Sequence, residues 1–200
     1  DGTLEITARE VTVSVADKTV EYTGAEQYGN TEYTFSNVVE GETATITYEA
    51  SHGTVVDTYD NGAYTADSFK VMSGDVDVTS NYTLGTQTAG KLTITDRTEK
   101  YEITVVANSN TGNVYDGTEK SATGIEKNVF IVEGHTYTVS GLTTSNPSST
   151  DVCSLTNEIS GTAVVKDANN NDVTAQFTVK TEDGTLEITA REVTVSVADK

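Results

Sequence analysis

The sequence predicts an all-β chain of two small tandem domains, each an immunoglobulin-like sandwich or a β-grasp-like fold, set end to end as a rod. Three observations predict it. Apolar residues alternate with polar ones over short stretches bounded by turn residues, the period-two signature of half-buried strands. The composition is rich in Thr, Val and Tyr, with one Pro and no Trp among 200 residues, and Thr, Val and Tyr fit the pleated, half-buried surface of a sheet. Finally, the chain carries an internal repeat.

Residues 1–18 read DGTLEITAREVTVSVADK, and residues 183–200 read the same without a change, at an offset of 182. Chance does not give such an identity, so the chain is expected to be an internal piece of a longer protein built from near-identical units in series. Each unit itself divides into two related halves. Gly2-Thr-Leu-Glu-Ile-Thr-Ala-Arg9 matches Gly90-Lys-Leu-Thr-Ile-Thr-Asp-Arg97, and Tyr22-Thr-Gly-Ala-Glu26 matches Tyr115-Asp-Gly-Thr-Glu119. Val39-Glu-Gly41 matches Val132-Glu-Gly134, and Asp77–Thr83 matches Asp172–Thr178. The four matches keep their order along the chain.

Strand parity sets the boundaries. Leu4, Ile6 and Ala8 alternate on even positions, whereas Val11, Val13 and Val15 alternate on odd ones. Side chains of a strand alternate between its two faces, so a change of parity moves the apolar set to the other side. The same change follows Leu92 and Ile94, before Tyr101, Ile103 and Val105, and again between Leu186 and Ile188 and the set Val193, Val195 and Val197. One bulge could explain one switch; three at equivalent places suit a chain that leaves one core and enters the next. The predicted organisation is therefore residues 1–8 as the last strand of a preceding repeat, 9–95 as the first β domain, 96–189 as the second, and 190–200 as the first strand of the next repeat. The junctions Thr7–Glu10 and Thr95–Thr98 hold no Gly or Pro and are too short for flexible linkers.

Within the domains, alternation predicts strands over Ala44–Ala50, Tyr101–Val106, His135–Val139 and Gln176–Lys180, with Tyr137 and Val139 inward beside His135. Turns are expected at Asn61-Gly62, Ser73-Gly74-Asp75, Asn110-Thr-Gly112 and Ala168–Asn171. Asp77 and Asp172 are each placed to N-cap a single helical turn.

Charge removes several function classes. With 12 basic and 31 acidic residues the net charge is −19, which leaves no basic stripe for a phosphate backbone and disfavours anionic membrane surfaces. No apolar run approaches the ~18 residues of a membrane-spanning helix, so membrane insertion is not expected. Acidity of this degree keeps a crowded surface protein soluble. Cys153 stands alone, so an internal disulfide is excluded; it reads as a half-buried small residue or as a half of an intermolecular pair.

The segments Tyr115–Glu119, Gly184–Arg191 and Asp167–Thr178 resemble the YDG/MBG-type repeats of bacterial cell-surface adhesins. Such repeats end in a Gly-x-Leu-x-Ile-Thr strand, pass an Arg or Lys, and open the next domain with a Val-Thr-Val-like strand followed by a Tyr-Asp-Gly or Tyr-Gly turn. The likeness covers nearly the whole chain in two copies; Thr23 in the first copy stands where Asp116 stands in the second. It implies a secreted or cell-wall-associated multidomain adhesin of a Gram-positive-like bacterium, whose partners are neighbouring identical repeats and, at a binding tip, a host glycan or surface protein.

Motifs for chemistry are few. Gly85–Lys91 mimics the start of a phosphate-binding loop, but Leu92 occupies the position where Ser or Thr must hold magnesium. Asp167, Asn169, Asn171 and Asp172 place oxygens in the manner of a calcium loop; the same residues also make a polar hairpin turn, which needs Asn for left-handed backbone. Calcium is the one cofactor the sequence suggests. His52 and His135 lack spaced partners for zinc, and neither Gly-x-Ser-x-Gly nor His-Glu-x-x-His occurs. Lys18, Lys70, Lys100 and Lys127 could enter an isopeptide crosslink, but no spacing singles one out. Tyr22 and Gly24, and Tyr115, Asp116 and Gly117, form structural turns, the tyrosine packing beneath and the glycine at positive φ. No enzyme is expected. The sequence favours a structural unit of an adhesin stalk or surface fibre; the alternatives are a carbohydrate- or host-protein-binding module and a filament subunit joined by strand exchange.

Overall fold

A computed structural model describes residues 2–197 of the chain. It is all-β: among the described residues there is no α-helix, and the helical segments are the single 3-10 turns Thr79–Asn81 and Thr174–Gln176. Among the described residues no helix is long and apolar enough to cross a membrane. The chain forms two compact units, residues 1–98 and 99–200.

In the first unit the opening strand, Arg9–Val15, pairs in parallel with Tyr82–Thr88 on one edge and antiparallel with Tyr33–Ser36 on the other. After a break at Ala16 and Asp17 the same two stretches continue side by side. Lys18–Glu21 now pairs in parallel with Leu92–Thr95, whose other edge takes Asp57–Tyr59 antiparallel. First and last strands thus form one kinked parallel ladder shared by two sheets. A third sheet, Glu42–Thr45, Lys70–Ser73 and Val76–Asp77, is antiparallel. Val11, Val71 and Tyr82 are buried at the centre of a cluster completed by Phe35, Val38, Ala44, Phe69, Val78 and Leu84. Val11, Val13 and Val15 of the opening strand are all buried, as the alternation predicts.

The second unit repeats the plan. Tyr101–Val106 runs parallel to Phe177–Glu182, and Asn110–Val114 runs parallel to Gly184–Thr189, which Cys153–Asn157 flanks antiparallel. A meander of Val129–Val132, His135–Thr144 and Ile159–Lys166 supplies the rest of the core. Tyr137 and Val139 are buried, and the Tyr137 ring meets Phe177 edge-on at 4.7 Å between centroids.

Four local expectations are corrected. Ala44–Ala50 is two strands, Glu42–Thr45 and Tyr48–Glu49, because side chains take the intervening amides: Ile46 N donates to the Tyr33 hydroxyl at 3.3 Å and Thr47 N to Ser68 Oγ at 3.0 Å. Asn110–Gly112 is part of a strand rather than a turn; its extra residue appears as a bulge between Asn110 and Asn113, with Gly112 at φ 76°. Gln176 closes the 3-10 turn, its amide donating to Val173 O, so the strand starts at Phe177. The single turns are present, but Val78 and Val173 hold the cap positions. Asp77 and Asp172 act one residue earlier, each accepting the amide two residues on, at 2.9 and 3.0 Å.

Candidate functional site

The element that unites both units is the parallel ladder of first and last strands. Its kink has the same construction in each. Gly90 lies against Ala16 O, where a Cβ would sit 2.6 Å away, and Gly184 lies against Asn108 O, where a Cβ would sit 2.2 Å away. These two glycines are glycines because the backbones touch there, not because of φ. The residue after each donates its amide to a side chain of the partner strand: Lys91 N to Asp17 Oδ1 at 2.8 Å, and Thr185 N to Ser109 Oγ at 3.0 Å.

Each kink is held by a fully buried polar residue. Ser51 donates its hydroxyl to Gly90 O at 2.7 Å and accepts Gly62 N at 3.0 Å. Asn157 donates from Nδ2 to Asn108 O at 2.9 Å and accepts Asn146 N at 3.0 Å. A buried polar group must be paired or it destabilises the fold, and here the pairing joins the ladder to a neighbouring loop. Neither residue carried a signal in the sequence.

The Tyr-x-Gly turns close the far end of each ladder. Tyr22 N donates to Thr95 O at 3.0 Å, and Tyr115 N to Thr189 O at 2.8 Å. The tyrosine carbonyls accept from arginines just beyond the last strands, Arg97 Nη1 at 2.9 Å and Arg191 Nε at 2.9 Å. Gly24 and Gly117 take φ of 83° and 77°. Thr23 stands in for Asp116: Ala25 N donates to Thr23 Oγ1, as Thr118 N donates to Asp116 Oδ1. Hydrogen bonds from the Thr118 hydroxyl, then from Lys120, hold the Asp116 carboxyl well below the usual carboxylate range. The tyrosines differ. Tyr22 is 1% exposed, whereas Tyr115 is 40% exposed and does not pack beneath its turn.

The repeated segment occupies two complementary settings. In residues 2–18 the even-parity residues Leu4 and Ile6 are 89% and 87% exposed, while Val11, Val13 and Val15 are at most 5% exposed. In the second copy Leu186 and Ile188 are at most 2% exposed, while Val193, Val195 and Val197 are at least 83% exposed. One sequence thus fills the last-strand position at residues 184–189 and the first-strand position at 9–15. Asp1 and residues 198–200 lie outside the described residues.

The suggested calcium residues lie in a hydrogen-bonded turn. Asp167 Oδ1 accepts the amides of Asn169 and Asn171 at 2.9 and 2.8 Å, its Oδ2 accepts Asn171 Nδ2, and Asn170 is left-handed at φ 67°. Asp172 Oδ1 is bound to Thr174, whose hydroxyl and amide lower the carboxyl's pKa. Among the described residues no three or more His, Cys, Asp or Glu side chains gather to hold a metal. Glu26, Tyr28 and His52 do meet on the surface: the Tyr28 hydroxyl donates to Glu26 Oε2 at 2.6 Å, and His52 Nδ1 lies 2.9 Å from Oε1. Beside this exposed cluster Ser51 is buried, its hydroxyl donating to Gly90 O. Cys153 is free and half-buried. Comparisons with protein families, curated proteins and solved structures found no match.

Proposed function

We propose that the chain is a load-bearing structural unit of an extracellular bacterial stalk or surface fibre, its domains arranged end to end as a rod. The observation that carries this reading is the parallel pairing of first and last strands in both units. Residue 9 faces residue 82 at one end of the first ladder and residue 21 faces residue 95 at the other. In the second unit the pairing runs from Tyr101 with Phe177 to Val114 with Thr189. The chain therefore enters each unit at one end of its ladder and leaves at the opposite end. Tension between those ends shears every ladder bond at once instead of peeling them singly. The acidic composition and the resemblance to adhesin repeats support a cell-surface setting for such a unit.

Small-angle scattering tests the arrangement. Each ladder of roughly 13 residues spans ~43 Å at ~3.3 Å per residue, so two in line give a radius of gyration of about 25 Å. A single globule of this length would give about 17 Å, and that value would contradict the rod.

A further inference from the structure

We infer that two copies of this chain join edge to edge through their second units, the strand Val129–Val132 of one copy lying antiparallel to the same strand of the other. The inference goes beyond the stalk reading and does not depend on it. Among the described residues this strand is the outer member of its sheet: His135–Thr144 covers one edge, and the other has no strand beside it. Val139 N donates to Asn128 O at 2.7 Å. Alternate residues of an antiparallel strand bond to its neighbour. The amides and carbonyls of Phe130 and Val132 therefore turn into the sheet, as Asn128 O does, and those of Val129 and Ile131 point out of its open edge. Their side chains are exposed as well, Val129 at 43% and Ile131 at 74%. Natural edges are commonly blunted by a Lys, a Pro or a bulge; Val-Phe-Ile-Val carries none of these.

The edge itself specifies a second copy as its occupant. Setting Phe130 opposite its counterpart places Val129 opposite Ile131 and Lys127 opposite Glu133, and the two-fold axis repeats both pairs. The outward backbone groups of Val129 and Ile131 then meet each other, as a ladder requires. Apolar residues face apolar ones, and opposite charges, which stabilise cross-strand pairs where like charges destabilise them, face each other at both ends. Sliding the register by two residues keeps the backbone match but spoils the side chains: one direction sets Lys127 opposite Ile131, the other sets Val129 opposite Glu133. Lys127 and Glu133 are both exposed, and Lys127 Nζ lies 5.2 Å from the centre of the Phe130 ring, beside the start of the strand. The first unit lacks this edge. Its matching stretch, Ser36–Val39, has Ser36 and Asn37 in place of Val129 and Phe130, and Asn37 is bonded to Arg9 Nη1 and Glu10 O. A four-residue edge covers far less than the roughly 800 Å² per partner of stable interfaces, so the dimer is weak, with a dissociation constant between ~10 μM and ~1 mM.

Sedimentation equilibrium of the whole chain tests the pairing. The unaltered chain is expected to dimerise in that concentration range. Lys127→Glu and Glu133→Lys each set like charges opposite one another, and each alone is expected to remain monomeric. Mixed in equal amounts, the two variants are expected to recover the dimer, because every altered charge then meets its opposite. Both chains stay strongly acidic, so net charge does not draw them together. Val76→Lys, at an exposed position of the first unit, is expected to dimerise like the unaltered chain. All three substituted side chains are exposed, so the variants keep the fold. Hydrogen exchange reads the backbone: the amides of Val129 and Ile131 should slow in step with the dimer fraction, while that of Phe130, already in the ladder opposite Tyr137, should not change. An unaltered chain that stays monomeric up to ~1 mM would overturn the inference. So would dimers that survive either single charge reversal, a mixture that stays monomeric, loss of the dimer in Val76→Lys, or unchanged exchange at Val129 and Ile131.

Discussion

Removing the Asn157 side chain tests the ladder at its most specific point. Asn157→Ala deletes an acceptor for Asn146 N and a donor to Asn108 O in a site with no solvent access. Each orphaned buried group costs about 1–3 kcal/mol, and the two together about 2–4 kcal/mol if the loop relaxes in part. A domain of this size has ~5–13 kcal/mol in total, so the loss is a large share. At ~4–8 °C per kcal/mol the unfolding midpoint of the second unit should fall by about 8–32 °C. Urea or thermal unfolding, followed by amide signals of each unit, measures it; the first unit's transition should not move. Asn157→Asp should be at least as damaging, since it keeps an acceptor but buries a charge. A loss below about 0.5 kcal/mol, typical of surface changes, would refute the role assigned to this side chain.

Two further outcomes are expected. Gly184→Ala forces a methyl to within 2.2 Å of Asn108 O; separating the strands should cost at least the ~1–3 kcal/mol of ordinary overpacking, whereas Gly2→Ala, the same residue of the repeat in an open position, should be neutral by thermal unfolding. Asp116 has a depressed carboxyl pKa in the folded chain because of Thr118 and then Lys120. Its contribution is therefore present above the unfolded value of ~3.9 and is lost as pH falls from there toward the folded value. Unfolding between pH 7 and pH 3 should show a smaller pH dependence in Asp116→Asn, and a carbon-13 titration of Asp116 should show its carboxyl still ionised where exposed aspartates are protonated.

Much of this fold was legible from parity alone. The alternation of Val11, Val13 and Val15 named a buried face correctly, because a half-buried strand writes its environment into its own sequence at period two. So did Tyr101–Val106, whose bounds the structure keeps. The parallel pairing of first and last strands was not legible: it joins residues more than 70 positions apart, and alternation says which face is buried but not which strand lies alongside. The break after Thr45 was hidden for a similar reason, since the hydroxyls of Tyr33 and Ser68 that take its amides are distant in sequence. Ser51 and Asn157 sit in ordinary polar stretches and become structural only where a kink glycine comes opposite. The turn motifs were visible as short words, yet their attachment to Thr95, Arg97, Thr189 and Arg191 appears only in three dimensions. At the Asp167–Asp172 stretch the sequence left calcium and a hairpin turn open; the carboxylates now have backbone and side-chain partners of the turn.

The most direct test of a load-bearing ladder is to pull the first unit in two directions. Handles at Glu10 and Asp96, in a Cys153→Ser background, load opposite ends of the parallel strands. Handles at Glu10 and Thr83, which face one another across the ladder, peel it from one end. The expected result is a rupture force several-fold higher in the first geometry, with a contour increase of roughly 25–30 nm at ~3.6 Å per residue. Equal forces in the two geometries would contradict the account.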